Sequence, residues 1–204
     1  MIAAVILAAG TSSRLGRPKQ LLQLGDRTVI EHVVDRTLSS SVDRVVVVLG
    51  HEADAIRKVL ENRDVDVVFN ESYLDGQSTS LNSGVRHAIG LGDCEAIVMV
   101  LVDQPSSTTA VIDRVITAWR NSTSPIAIAL YGNHRSHPAI FDRDVFPELL
   151  EVTGDQGARG VLRKYGDQVL EVDSGLIDLP PDIDTEEAYR DMVTKWHIYE
   201  LNAP

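Results

Sequence analysis

An open, mostly parallel α/β sheet with helices on both faces is the fold this sequence predicts. Three observations carry that expectation. Apolar runs rich in Val and Ile, too continuous to leave a wet face, recur along the first 130 residues. Segments with helical spacing of apolar residues separate them. The two kinds alternate, the order that builds parallel strands by crossover helices.

The strands come first. Residues 3–7 (AAVIL), 42–49 (VDRVVVVL), 65–69 (VDVVF), 96–102 (AIVMVLV) and 125–130 (PIAIAL) have β-branched content and few polar breaks. Helices are expected at about 28–40, 52–62, 78–90 and 108–120. In the first of these, Val29, Val33, Val34, Thr37 and Leu38 make a one-sided stripe. A Ser/Thr cluster after Pro105 supplies a cap for the fourth. Beyond residue 130 the pattern loosens: 134–141 reads as a strand after a turn, 157–165 as a helix, 168–172 as a strand and 185–196 as a closing helix. No repeat, low-complexity tract or linker interrupts the chain, so one domain over residues 1–204 is expected.

Composition narrows the function. The net charge of −11 argues against a general electrostatic grip on nucleic acid or on an acidic membrane. Cys94 is the single cysteine, which rules out an intrachain disulfide and a cysteine zinc cage. Residues 1–10 (MIAAVILAAG) are too short to span a bilayer and have no basic region, so they read as the first strand and the chain as cytoplasmic. Ligands of open α/β sheets bind outside the carboxyl ends of strands. Residues 8–19 and Asp103 lie at two such ends.

The loop after the first strand, LAAGTSSRLGRPK, is built from small and polar residues around two cations. Ala8, Ala9 and Gly10 let a ligand approach the backbone, whose successive N–H groups can form an anion nest. Arg14 offers a planar fork for phosphate oxygens and Lys19 a compact charge. The spacing is neither G-x-x-x-x-G-K-[ST] nor G-x-G-x-x-G. A bland alternative stands beside the phosphate cradle: a strand-to-helix loop with surface cations. Asp103 has its own bland alternative as a helix N-cap, as do Asp182, Asp184 and Ser78.

These residues resemble the L-A-A-G-x-S-x-R-x-G-x-x-K signature of MobA-like nucleotidyltransferases. Further elements follow in the family's order: GQSTSLNSG (76–84), LVDQP (101–105), SHPAIF (136–141), TGDQGAR (153–159) and DIDTEE (182–187). Ser136 stands where the family pattern has glycine. The set covers about residues 5–188 and is most similar to the molybdenum cofactor cytidylyltransferase branch, with LAAG rather than LAGG. The resemblance implies a Rossmann-like fold of the nucleotide-diphospho-sugar transferase type. It implies transfer of a nucleotidyl group from CTP to a phosphorylated acceptor such as molybdopterin, with Mg²⁺ as cofactor and a molybdoenzyme as possible client. Within the same scheme stand GTP as donor, another phosphorylated acceptor, or a non-catalytic role in nucleotide or cofactor binding.

Mg²⁺ takes oxygen ligands, usually one or two carboxylates with phosphates and water. Asp103 is the first expected ligand and Asp184 the second, with Asp182 as the substitute. Arg14 and Lys19 would neutralise the β- and γ-phosphates, and with Asp103 they form the catalytic set. Leu7, Ala8, Ala9 and Gly10 would meet the base and ribose. Ser80, and more weakly Ser78, would lie near the nucleotide. On the acceptor side stand Gln104, His137 and Arg159, the last open to a mere surface salt bridge. His134 is expected in solvent and Asn82 at the surface or behind the site. Trp119 and Trp196 are expected in core or interface, and Cys94 inert.

Overall fold

The computed structural model describes residues 1–201, with side chains through residue 199; residues 202–204 of the expected domain lie outside the described residues. The strands are β1 (Ile2–Leu7), β2 (Gln23–Leu24), β3 (Arg27–Thr28), β4 (Arg44–Leu49), β5 (Asp66–Phe69), β6 (Ala96–Leu101), β7 (Ile126–Tyr131), β8 (His134–Asp142) and β9 (Val169–Asp173). The helices are α1 (Val29–Leu38), α2 (Ala53–Val59), α3 (Gln77–Gly90), α4 (Thr109–Arg120), α5 (Phe146–Glu151), α6 (Arg159–Tyr165) and α7 (Glu186–Leu201).

Seven strands form one sheet in the order β5-β4-β1-β6-β8-β7-β9. Only β8 runs against the rest, pairing antiparallel with β6 and β7. Strand β1 has the register Ala3↔Arg44 to Leu7↔Val48 on one side and Ile2↔Ala96 to Leu7↔Leu101 on the other. The chain thus leaves β1 in opposite directions across the sheet, and the crevice above its carboxyl end is where such folds bind ligands.

Strand pleating splits the core in two. Ile2, Ala4 and Ile6 face the layer of α1, α2, α4 and α7. Ala3 and Val5 face that of α3, α5 and α6. Helix α3 lies so close to the sheet that a Cβ at Gly84 would come within 2.4 Å of Val5 Cγ1 and 3.0 Å of Val48 Cγ2. Glycine there permits the approach. Helix α7 closes the first layer with Met192 and Trp196 buried, the latter's ring centroid 4.5 Å from that of His32 with the planes tilted by 59°. Trp119 is packed against the same core, partly buried.

The expected elements are present, with boundaries moved by local chemistry. Helix α1 starts at Val29 because Thr28 and Glu31 form a reciprocal capping box. Four of the five predicted stripe residues are buried, and Leu38 is exposed. Strand β4 starts at Arg44 because the Asp43 carboxylate accepts the Ile2 N–H at 2.6 Å, ahead of the ladder. Helix α2 is shorter than expected, flanked by Glu52 in the left-handed region at φ 53°. Two elements had no counterpart in the sequence reading: the β2–β3 hairpin, turned by Gly25 at φ 63°, and α5. Cys94 is buried, and burial pushes its thiol pKa up, as an inert cysteine requires. Among the described residues no helix is long and apolar enough to cross a membrane.

Candidate active site

The loop after β1 is held open by its own side chains. Gln20 is fully buried, and its Nε2 donates to the carbonyls of Ala8 (2.7 Å) and Gly10 (3.1 Å). Ser12, at φ 53°, places its Oγ to accept the Lys19 N–H at 3.0 Å. Its carbonyl accepts the N–H groups of Leu15 and Gly16, and Gly16 turns the chain at φ 69°. A Cβ built on Gly10 would meet nothing within 4 Å, so the space above it is open.

That loop delivers Lys19 and Arg14 to the acidic groups. Lys19 Nζ donates to Asp103 Oδ2 (3.0 Å) and Asp184 Oδ1 (2.6 Å), and Arg14 donates to Asp184 Oδ2 (2.6 Å). Eighty-one residues apart in sequence, Asp103 and Asp184 are brought together because the Ile183 N–H donates to the Asp103 carbonyl at 2.9 Å. Neither aspartate is a cap. Thr108 caps α4, accepting from Val111, and Thr185 accepts from Ala188 at the start of α7. Burial opposes the charge on Lys19, but Asp103 and Asp184 outweigh it and raise its pKa. Burial likewise opposes the charge on Asp184, and its bonds to Lys19 and Arg14 hold it below the usual carboxylate range. A cation between two carboxylates is a poor device for stability, since desolvation offsets the attraction. It is a good device for storing charge that a charged ligand can exchange for.

The residues fit a hard divalent cation. Asp103 Oδ1 is buried with no protein hydrogen-bond partner among the described residues, an acceptor available to a ligand. The described residues hold no cage of three or more His, Cys, Asp or Glu side chains, so an ion at Asp103 and Asp184 would need other oxygens, as Mg²⁺ does when phosphates and water complete its shell.

A cleft of about 490 Å³ opens over these groups. Leu7, Ala9, Gly10, Arg14, Lys19, Asp103 and Asp184 line it, with Ser80 and Arg159. Ser80 Oγ accepts from Asn70 Nδ2 at 3.0 Å. Two expected nucleotide residues are set back from the wall. Ala8 is buried with its carbonyl turned to Gln20, and Ser78 is buried within α3, making no cap bond. The N-terminus of α3 is held instead by Asp155, whose Oδ1 accepts the Gln77 N–H at 3.0 Å. Gly76, at φ 115°, lies so near this loop that a Cβ would sit 2.8 Å from the Gly154 backbone.

Gln104 and His137 also lie outside that lining, on the β8 side. Gln104 Nε2 donates to Asp182 Oδ1 (2.8 Å) and Ser136 Oγ (3.2 Å). Asp182 therefore pairs with Gln104 while Asp184 meets Lys19. Burial raises the Asp182 pKa, with Gln104 opposing and Asp103 and Asp184 adding to the shift. Burial pushes the His137 imidazole down to about 4, the Asp103 carboxylate opposing and Arg159 adding to the shift. His134 is exposed, as expected. Ser136 lies in extended β8 and is not among the positive-φ residues, so serine suffices where the family has glycine. Asn82, partly buried, reaches the Val152 carbonyl behind the site at 3.4 Å.

Sequence reasoning missed Gln20, Asn70 and Asp155, and also Tyr73 and Gln77, which line the cleft. Asp155 had a signal, since it lies in TGDQGAR, but nothing local says that it reaches α3. Gln20 had one too: a polar residue in an otherwise apolar QLL segment.

A glycine-rich loop, a cation pair and converging carboxylates above the switch point of a parallel sheet define a nucleotide-handling α/β transferase. The chain belongs to the MobA-like NTP transferase domain family, whose model matches residues 4–169. It is 31% identical over 199 residues to nicotine blue oxidoreductase of Paenarthrobacter nicotinovorans, covering 93% of this chain and 95% of that one. Among solved structures, Rv0371c of Mycobacterium tuberculosis is 33% identical with a TM-score of 0.83, covering 95% of this chain and 97% of that one. The same protein has been solved in complex with manganese. A nucleotidyl transferase of Methanothermobacter is 26% identical with a TM-score of 0.82, covering 97% and 98% of the two chains. The chain is a nucleotidyltransferase by family and fold.

Proposed function

We propose that this cytoplasmic enzyme moves a CMP unit from CTP to a phosphorylated acceptor, molybdenum-loaded molybdopterin, giving molybdopterin cytosine dinucleotide and pyrophosphate. The observation that carries the reading is the junction of Lys19 with Asp103 and Asp184 beside Arg14, at the mouth of the backbone cradle. An acceptor phosphate oxygen attacks the α-phosphorus. The bond from that phosphorus to the β-bridging oxygen breaks, and the electron pair leaves with pyrophosphate. The attacking phosphate is largely ionised at neutral pH, its second pKa being about 6, so no side chain must take its proton. Positioning and charge neutralisation do the rest.

Arg14 and Lys19 exchange their carboxylate partners for the β- and γ-phosphates. Asp103 and Asp184 would hold Mg²⁺, which would supply positive charge against the reacting phosphate. Ala9, in LAAG, supports CTP over GTP, and a molybdoenzyme is the proposed recipient of the product. The test is pyrophosphate release with Mg²⁺ and molybdopterin, offering CTP, GTP, ATP and UTP in turn. Release with CTP alone supports the reading; release with GTP alone replaces the donor; no release with any of the four refutes the molybdopterin assignment.

A second reading rests on the 31% identity to an oxidoreductase over nearly the whole chain. It is a redox activity on nicotine blue, measured as loss of that compound in the presence of an added reductant. Loss that survives Asp103→Ala would favour it.

A further inference from the structure

After Lys19 the segment KQLL, residues 19–22, is apolar except at Gln20. Gln20 is fully buried, and its Oε1 has no hydrogen-bond partner among the described residues. An unpaired buried polar atom opposes folding, and a leucine here would avoid that cost. What the amide does instead is seen at its other end. Nε2 has two hydrogens, and they go to two carbonyls of one loop, Ala8 at 2.7 Å and Gly10 at 3.1 Å. The carbonyl between them is held as well: Ala9 accepts the His51 N–H at 3.3 Å.

Three tied carbonyls settle where three N–H groups point. The peptide bonds of this loop are trans. In a trans peptide the C=O of one residue and the N–H of the next point in opposite directions. With the Ala8 and Gly10 carbonyls turned in to Gln20, the N–H groups of Ala9 and Thr11 turn away from it. With the Ala9 carbonyl turned to His51, just past β4, the Gly10 N–H turns toward the β6 side of β1, where Asp103 lies. None of these three N–H groups donates to a protein acceptor among the described residues, and Ala9, Gly10 and Thr11 all line the cleft. Gln20 also ties the loop to the catalytic cation. It sits in the turn Lys19–Leu21, so the side chain that aims the backbone donors also sets where the lysine starts.

We propose that Gln20 is a positioning residue of the nucleotide site. Its amide turns the Ala8 and Gly10 carbonyls out of the cleft and so presents the N–H groups of Ala9 and Thr11 to acceptor atoms of the nucleotide. The proposal rests on the nucleotidyl-transfer reading and adds to it the residue that makes a donor set of bare backbone.

The test is amide NMR of the full chain, as wild type, Gln20→Met and Gln20→Glu, titrated with CTP and with inorganic triphosphate. In wild type the Ala9 and Thr11 amide protons move downfield with at least one of the two probes, as donors do when an acceptor closes on them. Methionine keeps the length of glutamine and removes the donor. CTP affinity is expected to fall at least tenfold, and the two amides to lose their response. A purely structural role lowers the melting temperature and leaves the response of the folded protein intact, and that result overturns the proposal. So does a wild type whose Ala9 and Thr11 amides answer neither probe. Gln20→Glu covers the case in which Gln20→Met does not fold. Its ionised carboxylate faces two carbonyl oxygens without a donor, whereas the protonated form regains one hydrogen. Its CTP affinity, relative to wild type at the same pH, is expected to recover at least threefold from about pH 9 to about pH 5, and a flat ratio overturns the proposal. Failure of the parent reading looks different. CTP that moves the two amides with no nucleotide turned over sinks the transfer reaction and keeps the role of Gln20. Turnover by Gln20→Met with the wild-type kcat and KM does the reverse.

Discussion

The two sides of the Asp103 junction, the cleft wall toward β1 and the buried groups toward β8, are built on opposite principles. On the β1 side both cations are already matched: Lys19 and Arg14 spend hydrogen bonds on Asp103 and Asp184. On the β8 side the groups are largely uncharged and partly unmatched: Gln104 with a bare Oε1, and a histidine whose pKa is pushed down to about 4. The difference teaches how one site can treat two substrates differently. Balanced ion pairs can be exchanged for a polyphosphate and a cation at little net electrostatic cost. Neutral, oriented hydrogen-bonding groups read shape and donor pattern, the kind of contact that discriminates best when left unpaired by the wrong ligand.

The comparison breaks most sharply at Asp103, which belongs to both walls. Asp103→Ala is expected to lower pyrophosphate release about 10³-fold, the upper range for losing one electrostatic contact to a transition state. Release at wild-type rate would remove Asp103 from the chemistry. Lys19→Ala is expected to cost about 10² in kcat, because Arg14 remains on the same wall. If KM for the acceptor rises while kcat holds, Lys19 belongs to the other wall.

A smaller effect separates the cradle from its support. Gly84→Ala forces α3 off Val5 and Val48, and overpacking of this kind costs about 1–3 kcal/mol. Thermal melting reads that loss. CTP affinity should fall with it, because Ser80 rides on α3; an unchanged melt would mean that α3 yields at no cost. The smallest effect is on pH. The His137 ring should titrate by NMR near 4 rather than 6.5. Its folded pKa lies below its unfolded one, so the unfolded chain binds the proton first as pH falls. The contribution of His137 to stability is present above about 6.5 and is lost between there and about 4. A ring that titrates at 6.5 would make this wall cationic under mild acid and erase the contrast.

Much of this was legible in the sequence, for identifiable reasons. Continuous Val/Ile runs announce strands buried on both faces, and β1, β4 and β6 are such strands. The cradle was legible because its chemistry is local: Gly10, Arg14 and Lys19 lie within ten residues. Asp184 was expected ahead of Asp182, but how it reaches the same Lys19 as Asp103 was not legible. It depends on one backbone bond from Ile183 that no spacing reveals. Hairpin β2–β3 was missed because two-residue strands carry no periodicity, and Asp155 because its partner lies 78 residues away.

The loop that carries Arg14 and Arg17 is fastened by residues that come much later in the chain. Arg14 meets Asp184 and Arg17 meets Glu186, across separations of 170 and 169 residues, and the Tyr189 hydroxyl donates to the Gln23 carbonyl at 2.9 Å. On the ribosome, at ~5–20 residues per second, roughly ten to thirty seconds pass between synthesis of the cradle and synthesis of its fasteners. A nascent chain therefore carries the loop of Arg14 and Arg17 long before it carries the groups that balance it. The loop is fastened only once residues 184–189 have been made, so its ordered form has to wait for a segment some 170 residues downstream.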